Sequence, residues 1–302
     1  MNKKKENRTI WIENYLFNPD FFQKLLSFFL LPFTFIYCII IFLKFFKKKK
    51  KLDIPIISIG NLIVGGTGKT PLSIFLLNRF KGGAVVLRGY GRKSKGTILI
   101  SKDGKVLENV EVSGDEAQEI SNNTDAIVIV SEDREKGIIL AKELGAKFVI
   151  LDDGFDKPFQ KLNILIDVPI KNSFCLPSGG YRYPRFFKKY ADIILEENKN
   201  FRRVVNLPNI KNFVLISAIS KPERLLEFVK TDKYHFFLDH HYFKKDEIEK
   251  ILEKYGVDTI LTTEKDFVKL EKFNLKIEII KLNLEISDDV IRKIEDYLVE
   301  LQ

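Results

Sequence analysis

Short apolar runs alternate with amphipathic segments along most of the chain beyond residue 51. The apolar runs are almost uninterrupted, and stretches with the spacing of helices separate them. Runs of this kind are typical of strands in a parallel sheet that helices cover on both faces. The pattern predicts an α/β fold, in which ligands bind at the carboxyl ends of the strands.

The first part of the pattern predicts a mostly parallel sheet domain over residues 52–205. Its expected strands are Ile54–Ile59, Ala84–Leu87, Ala126–Val130, Phe148–Leu151 and Ile164–Ile166. Its expected helices are Pro71–Phe80, Asp115–Ser121 and Glu135–Leu144. Between them, Thr97–Ser101 and Lys105–Leu107 form an expected hairpin around Asp103-Gly104.

A second, smaller α/β domain is predicted over residues 206–302, after a polar linker at Asn198–Asn212. Its expected strands are Phe213–Ser217, Tyr234–Leu238, Thr259–Thr262 and Ile277–Leu282. Its expected helices are Pro222–Val229, Lys245–Tyr255, Lys265–Lys272 and Asp288–Leu301.

Residues 1–51 form a third, basic segment that contains the uncharged stretch Leu25–Leu43. This length suits one membrane helix, or a helix lying in one leaflet, and the lysines at 47–51 suit an anionic lipid surface. The alternative is a buried core helix. A cleavable signal peptide is disfavoured, because the apolar stretch is long and no small-residue cleavage site precedes the lysines. Residues 1–51 carry eleven Lys and Arg against three Asp and Glu, and the remainder 39 against 38. The basic excess is therefore local, which argues against a nucleic-acid-binding body.

Overall composition is that of a folded protein, with 45% hydrophobic and 30% charged residues. Cys38 and Cys175 are its two cysteines, too few for a disulfide framework, as expected in a reducing compartment.

The most specific motif is Val64-Gly-Gly-Thr-Gly-Lys-Thr-Pro71, directly after the first strand. Its backbone amides at Gly65, Gly66, Thr67 and Gly68 can surround phosphate oxygens, Lys69 adds a cation, and the Thr70 hydroxyl can ligate Mg²⁺. The helix that follows points its positive end at the same place. Ile63 stands where the common pattern has its first glycine, so this is a variant loop.

Two neighbouring carboxylates, Asp152 and Asp153, end the strand at Phe148–Leu151. Carboxylates at a strand tip near a phosphate loop suit a Mg²⁺–phosphate site, one holding the metal and the other the loop. A plain Asp-Gly turn at Asp153-Gly154 is the alternative.

Asp115 and one of the two histidines in Phe237-Leu-Asp-His-His241 form a second candidate pair, a base and its orienter drawn from the two domains, although spacing alone selects neither histidine. The structural alternative is strong for Asp115, because Ser113 and Glu116 match a helix capping box. Loop arginines with the fork geometry that suits phosphate oxygens complete the candidate set, namely Arg88, Arg92, Arg134 and Arg182.

The order of these motifs resembles the tetraacyldisaccharide 4′-kinase family, the lipid A 4′-kinases of Gram-negative bacteria. The matching stretches are Gly60-Asn61, Val64–Pro71, Arg88–Arg92, Gly114–Ala117, Asp133-Arg134, Asp152–Phe155, Leu176–Gly179 with Arg182, Asp239-His240 and Thr262–Asp266. Family members commonly have a glutamate where this chain has Tyr183, and Gln-His where it has Asp156-Lys157.

The resemblance implies ATP-dependent phosphorylation of the 4′-hydroxyl of a lipid A disaccharide precursor at the cytoplasmic face of the inner membrane. It implies Asp115 as general base, His240 as its partner, Lys69 as stabiliser of the γ-phosphate, and Thr70, Asp152 and Asp153 as holders of Mg²⁺. No obligate protein partner is expected. The alternative is a membrane-associated ATPase or GTPase switch of the partitioning or targeting type, whose loops carry a lysine where this chain has Val64.

Overall fold

The computed structural model describes residues 3–220, 222–239 and 241–300. Its α-helices are α1 Lys3–Phe17, α2 Phe21–Phe29, α3 Leu31–Phe45, α4 Lys69–Arg79, α5 Val110–Ser113, α6 Asp115–Asn123, α7 Arg134–Glu143, α8 Lys245–Tyr255, α9 Glu264–Leu270 and α10 Asp288–Glu300. Its strands are β1 Ile56–Gly60, β2 Gly83–Leu87, β3 Ile98–Lys102, β4 Lys105–Val106, β5 Ile127–Val130, β6 Phe148–Asp152, β7 Leu162–Asp167, β8 Ile193–Glu196, β9 Phe201–Asn206, β10 Phe213–Ser217, β11 Tyr234–Phe236, β12 Thr259–Thr263 and β13 Lys276–Ile286. Short 3-10 helices span Arg185–Tyr190, Pro222–Glu227 and Glu271–Phe273.

The strands form two sheets. The larger has the order β4-β3-β5-β2-β6-β1-β7-β8, and the smaller has the order β11-β10-β12-β13-β9. In the larger sheet β1 pairs with β7, β7 with β8 and β2 with β5 in parallel, while β3 runs antiparallel to β4 and β5. In the smaller sheet β10 is parallel to β11 and β12, and β12 to β13. The predicted α/β class and the hairpin at Asp103-Gly104 are confirmed.

Three sequence expectations need correction. The predicted linker Asn198–Asn212 contains strand β9, whose polar residues made it look like a loop although Phe201 is buried. The predicted helix Pro222–Val229 is a 3-10 helix ending at Glu227. Strand β8 was not predicted, although it pairs with β7 along its whole length.

The apolar stretch Leu25–Leu43 is not one helix. It is divided at Leu30 into α2 and α3, whose axes differ by 61°. Pro32 lies in the first turn of α3, where its missing N–H costs nothing, whereas a continuous helix would lose a hydrogen bond and clash there. No single helix among residues 3–220, 222–239 and 241–300 is long and apolar enough to cross a bilayer, and the bent α2–α3 pair satisfies length and composition only when taken together.

Two compact units can be distinguished. Unit 1 comprises Met1–Lys69, Ile150–Phe201 and Ile286–Gln302, and unit 2 comprises Thr70–Val149 and Arg202–Glu285. Both units are assembled from separate chain segments. The division into 1–51, 52–205 and 206–302 stays a prediction.

Unit 1 has an aromatic core in which α3 takes part. The ring of Phe45 on α3 lies 4.6 Å from Phe187 and 5.3 Å from Phe155, measured between ring centroids. Tyr183 packs edge-on against Phe155 at 5.6 Å. Helix α3 is thus packed into the body of the unit rather than attached by a free tether.

In unit 2, helix α7 lies against β2 through Gly137. A Cβ atom at Gly137 would stand 2.5 Å from Val86 Cγ1.

We expect Gly137→Ala to lower the free energy of unfolding by about 1–3 kcal/mol through overpacking, although alanine favours a helix by about 1 kcal/mol over glycine. Urea denaturation followed by circular dichroism measures the effect. Ile139→Ala on the exposed side of α7 is the control, and equal stability of Gly137→Ala and wild type would contradict the close approach.

Candidate active site

The phosphate loop follows β1 in unit 1 and has a defined conformation. Gly65 and Gly68 adopt φ of 91° and 85°, which side chains with a Cβ rarely tolerate. Asn61 Nδ2 donates to Thr67 Oγ1 at 2.8 Å and to the Gly65 carbonyl at 3.4 Å. Val64 N donates to the Gly180 carbonyl at 2.9 Å. A buried asparagine therefore holds the loop from inside, while Gly65 and Gly66 remain exposed.

Lys69 of the loop faces a carboxylate that an arginine holds. Arg182 Nη1 and Nη2 donate to Asp153 Oδ2 and Oδ1 at 3.0 and 2.6 Å, and Nη2 also donates to Asn61 Oδ1 at 3.0 Å. Lys69 Nζ lies 3.9 Å from Asp153 Oδ1. Burial acts to raise the pKa of Asp153, but the Arg182 hydrogen bonds and the charges of Lys69 and Arg182 outweigh it and lower that pKa. The carboxylate therefore stays ionised and sets the position of both cations.

Asp152 precedes this ion pair and ends β6. Asp152 is 4% exposed, whereas Asp153 is half-buried. Asp153 has a φ of 55°, which turns the chain out of the strand. The two carboxylates therefore have different surroundings. No group of three His, Cys, Asp or Glu side chains suited to a metal occurs within residues 3–220, 222–239 and 241–300.

Thr70 follows Lys69 in the first turn of α4 and is half-buried. The sequence predicted a helix from Pro71, and the structure has one that begins two residues earlier, at Lys69. The N-terminus of α4, which carries the positive end of the helix dipole, therefore lies within the phosphate loop.

The two arginines of the Arg88–Arg92 loop in unit 2 differ in environment. Arg88 is exposed just after β2, whereas the Arg92 side chain is 3% exposed. Arg92 Nη2 donates to Glu132 and to the Gly96 carbonyl, and Gly96 N donates to Glu132 Oε2 at 3.0 Å. Arg92 therefore closes its own loop, and Arg88 presents its guanidinium to solvent.

Arg134 is buried at the start of α7, where its Nη1 donates to the Ser131 carbonyl at 2.7 Å. Asp133 caps the same helix by accepting from the amides of Glu135 and Lys136. The Asp133-Arg134 pair thus organises the β5–α7 turn.

Asp115 is buried at the first position of α6 in unit 2. Its Oδ2 lies 3.7 Å from Lys269 Nζ and 3.9 Å from Lys265 Nζ, both on α9. The predicted capping box is absent: the N-cap is Gly114, and Ser113 Oγ donates to backbone carbonyls and to Gln118 instead. The capping alternative for this motif is therefore wrong, because Ser113 ends the separate helix α5.

The proposed partner His240 lies outside the described residues. Its neighbour His241 stacks on Phe237 with ring centroids 4.5 Å apart, and its Nε2 lies 2.9 Å from Glu247 Oε2. Asp239 Oδ1 lies 3.3 Å from Lys265 Nζ.

Sequence reasoning gave no role to three residues that the structure brings to these groups: Asn61, Lys265 and Lys269. Lys265 and Lys269 are four residues apart in a short helix, a spacing that places side chains on one face. That spacing after Thr262-Thr263 was the available signal, but sequence alone does not name the carboxylate opposite.

The chain matches one family model, described as tetraacyldisaccharide-1-P 4′-kinase, over residues 26–211 and 197–299. It is 50% identical to the tetraacyldisaccharide 4′-kinase of Aliarcobacter butzleri over 95% of this chain and 96% of that one. It is 46% identical to the enzyme of that name from Campylobacter jejuni over the full length of both chains, and 41% identical to the one from Helicobacter pylori over 96% and 95%.

Among solved structures, the fold is similar to LpxK from Aquifex aeolicus, described as an "apo" form in complex with ATP. The TM-score is 0.74 at 27% identity, covering 91% of this chain and 99% of that one. The similarity therefore extends over almost the whole fold.

Glu119 lies one helical turn beyond Asp115, and burial raises its pKa to about 8 from an ordinary value of 4.5. The folded state therefore binds more protons than the unfolded state between these values. We expect the free energy of unfolding to fall as pH rises through this window, by at most about 1.4 kcal/mol per pH unit from this group.

Glu119→Gln should remove this part of the pH dependence and raise stability at pH 7.5 relative to wild type. Urea denaturation at pH 5.5 and 7.5 measures it, with Glu143→Gln at an exposed position as control. Parallel stability–pH curves for wild type and Glu119→Gln would refute the protonated state.

Proposed function

The chain belongs to the tetraacyldisaccharide-1-P 4′-kinase family, and from this premise we propose that it transfers the γ-phosphate of ATP to the 4′-hydroxyl of a tetraacyldisaccharide 1-phosphate, a lipid A precursor. The observation that carries the proposal is the phosphate loop, with Lys69 held by Asp153 and the loop held by Asn61. A loose phosphoryl-transfer transition state needs positioning and charge neutralisation, which these groups supply.

The loop residues divide the work of holding a triphosphate. The backbone amides at Gly65, Gly66, Thr67 and Gly68 turn toward phosphate oxygens, and the Lys69 ammonium stabilises charge that develops on the γ-phosphate. Arg182, which reaches Asn61 and Asp153, lies in unit 1 with this loop. Its guanidinium therefore suits the nucleotide phosphates, and its hydrogen bonds to Asp153 also fix the carboxylate that faces Lys69.

The oxygen donors of Thr70, Asp152 and Asp153 fit Mg²⁺, which in kinases binds one or two carboxylates and the substrate's phosphates. Bound there, Mg²⁺ would neutralise phosphate charge and orient the β- and γ-phosphates. Because Asp153 is already hydrogen-bonded to Arg182, we assign direct coordination to Asp152 and the orienting role to Asp153.

For the acceptor, we assign Asp115 as the general base that takes the proton of the sugar hydroxyl, with His240 as its partner. Arg88 is exposed and can pair with an anionic group of the lipid substrate. Arg92 and Arg134 donate to neighbouring protein groups, so their contribution is the shape of the loops around them.

We also propose that α2 and α3 insert into the cytoplasmic leaflet of the inner membrane. Their buried residues are polar, namely Gln23, Ser27 and Thr34, whereas every phenylalanine of the two helices except Phe45, which packs into the aromatic core, points outward. Thr34 Oγ1 donates to Ser178 Oγ at 2.7 Å, and Gln23 Nε2 donates to the Trp11 carbonyl at 3.1 Å. A helix pair with polar groups inside and aromatic rings outside is adapted to an apolar exterior.

The catalytic prediction concerns Lys69 and Asp115. We expect Lys69→Ala to lower the rate of lipid phosphorylation at least about a hundredfold, because it removes a charge that stabilises the transition state. Asp115→Asn should lower it about 10²–10⁴-fold, because it removes the base, while ATP binding persists. The assay combines Mg²⁺-ATP with the disaccharide 1-phosphate lipid and quantifies the bisphosphorylated product.

Lys81→Ala, at an exposed position, is the matched lysine control. Hydrolysis of ATP without phosphate transfer to the lipid would instead favour the nucleotide-switch alternative. Unchanged transfer by Lys69→Ala would refute the proposed function.

The membrane prediction concerns two outward rings on α2. Phe22 and Phe29 are 79% and 72% exposed. We expect the double variant Phe22→Ser and Phe29→Ser to bind vesicles at least about tenfold more weakly, because each ring contributes transfer free energy. Flotation with phosphatidylethanolamine–phosphatidylglycerol vesicles measures binding.

Phe228→Ser, an exposed phenylalanine in unit 2, is the control. Lys47→Gln with Lys48→Gln should reduce the salt sensitivity of binding to anionic vesicles. Flotation of the double serine variant at the wild-type level would show that α2 does not enter the bilayer.

A further inference from the structure

We propose that Lys265 and Lys269 are positioning residues for the Asp115 carboxylate. The inference rests on the proposed function, in which Asp115 is the general base. It assigns a role to a lysine pair that the catalytic scheme above does not use.

Both ammonium groups approach the same carboxylate oxygen. Lys269 Nζ lies 3.7 Å and Lys265 Nζ 3.9 Å from Asp115 Oδ2. The other oxygen, Oδ1, accepts from the backbone amide of Glu116 at 3.2 Å. Contacts to both oxygens define the plane of the carboxylate, and a base must present a lone pair in a fixed direction.

Each lysine is itself held by a second carboxylate. Lys269 Nζ, with a side chain only 2% exposed, lies 2.9 Å from Asp266 Oδ1. Asp266 Oδ2 accepts from Ser217 Oγ and Ala218 N, both at 2.8 Å, and from Thr263 Oγ1 at 3.1 Å. Lys265 Nζ lies 3.3 Å from Asp239 Oδ1. The two ammonium groups are therefore held in place, and they in turn fix the position of the Asp115 carboxylate.

Charge balance supports an ionised Asp115. Burial acts to lower the pKa of Lys265, but the charges of Asp115 and Asp239 raise it above its usual value. Two nearby cations favour the carboxylate form over the acid. Among the described residues, the other titratable groups in this electrostatic environment are Glu116 and Glu119 on α6, Glu264 and Asp266 on α9, and Asp239, Tyr242, Lys93 and Glu111. Of these, the ionised carboxylates oppose ionisation of Asp115, whereas Glu119 stays protonated below about pH 8. Loss of a lysine therefore leaves the ionised carboxylates without compensation.

A structural role alone would also explain a lysine between α6 and α9, so the test uses a readout that such a role does not move. We would measure kcat and KM of the full-length kinase between pH 5 and 9 for Lys265→Met and Lys269→Met. We expect kcat to fall about tenfold and its acid limb to move up by about one pH unit, with KM for ATP unchanged. Lys265→Arg and Lys269→Arg, which keep the charge, should restore most of the limb.

Lys276→Met is the matched control, because it removes a lysine from an exposed ion pair with Asp258 in the same unit. Should Lys269→Met fold poorly, the more exposed Lys265 decides the question. An acid limb unmoved in Lys265→Met, whether kcat is retained or falls together with thermal stability, overturns the inference.

The carboxyl titration can be followed without catalysis. Carbon-13 NMR of aspartate-labelled protein, with Asp115→Asn identifying the signal, should show Asp115 titrating at higher pH in Lys265→Met than in wild type. An inactive wild type with this NMR shift refutes the kinase function and supports the lysine–carboxylate coupling. An active wild type without the NMR shift refutes the coupling alone.

Discussion

The guanidinium of Arg182 is the group on which the phosphate-loop region of unit 1 depends. Its planar fork donates to Asp153 and Asn61, and these two residues contact Lys69 and the loop backbone. Glycine-rich loops have many accessible conformations, so a defined phosphate cradle needs contacts from outside the loop. Lysine could not replace Arg182, because it lacks the rigid bidentate geometry.

The same residue also links the loop to the N-terminal helices. The Tyr37 hydroxyl of α3 donates to the Arg182 carbonyl at 3.0 Å, and Arg182 N donates to the Leu62 carbonyl at 2.7 Å. With Phe45 packed against Phe187, helix α3 is part of the structure that supports the loop. Under the proposed insertion of α2 and α3 into a leaflet, this rigid connection would limit the positions of the loop relative to the lipid surface.

Unit 2 contains buried ionisable groups, and burying such groups has an energetic cost. Asp115, Glu119, Asp266 and Lys269 are all buried on the facing helices α6 and α9. Buried ions are tolerated when they are paired and hydrogen-bonded. Replacing such a pair by well-packed apolar residues often leaves the protein equally stable. Their presence is therefore better explained by the proposed role of Asp115 as a base than by stability.

Tyr183, where the family resemblance led us to expect a glutamate, is accounted for by packing. Its ring lies among Phe155 and Phe187, and burial raises the pKa of its hydroxyl. The position contributes to the aromatic core and offers no carboxylate to a metal. This agrees with assigning direct coordination to Asp152.

The sequence by itself determined the α/β class, most strands and helices, the phosphate loop and the family, because these follow from local periodicity and from motifs of contiguous residues. It did not predict β8 or β9, the edge strands of the two sheets, because β8 has only four residues and β9 contains Arg202, Arg203 and Asn206. Only the tertiary structure decided that Leu25–Leu43 bends at Leu30, that Arg92 turns inward and Arg88 outward, and that Lys265 and Lys269 face Asp115. These outcomes depend on contacts between residues distant along the chain, and the pairing of charges across packed helices leaves no regular spacing in the sequence.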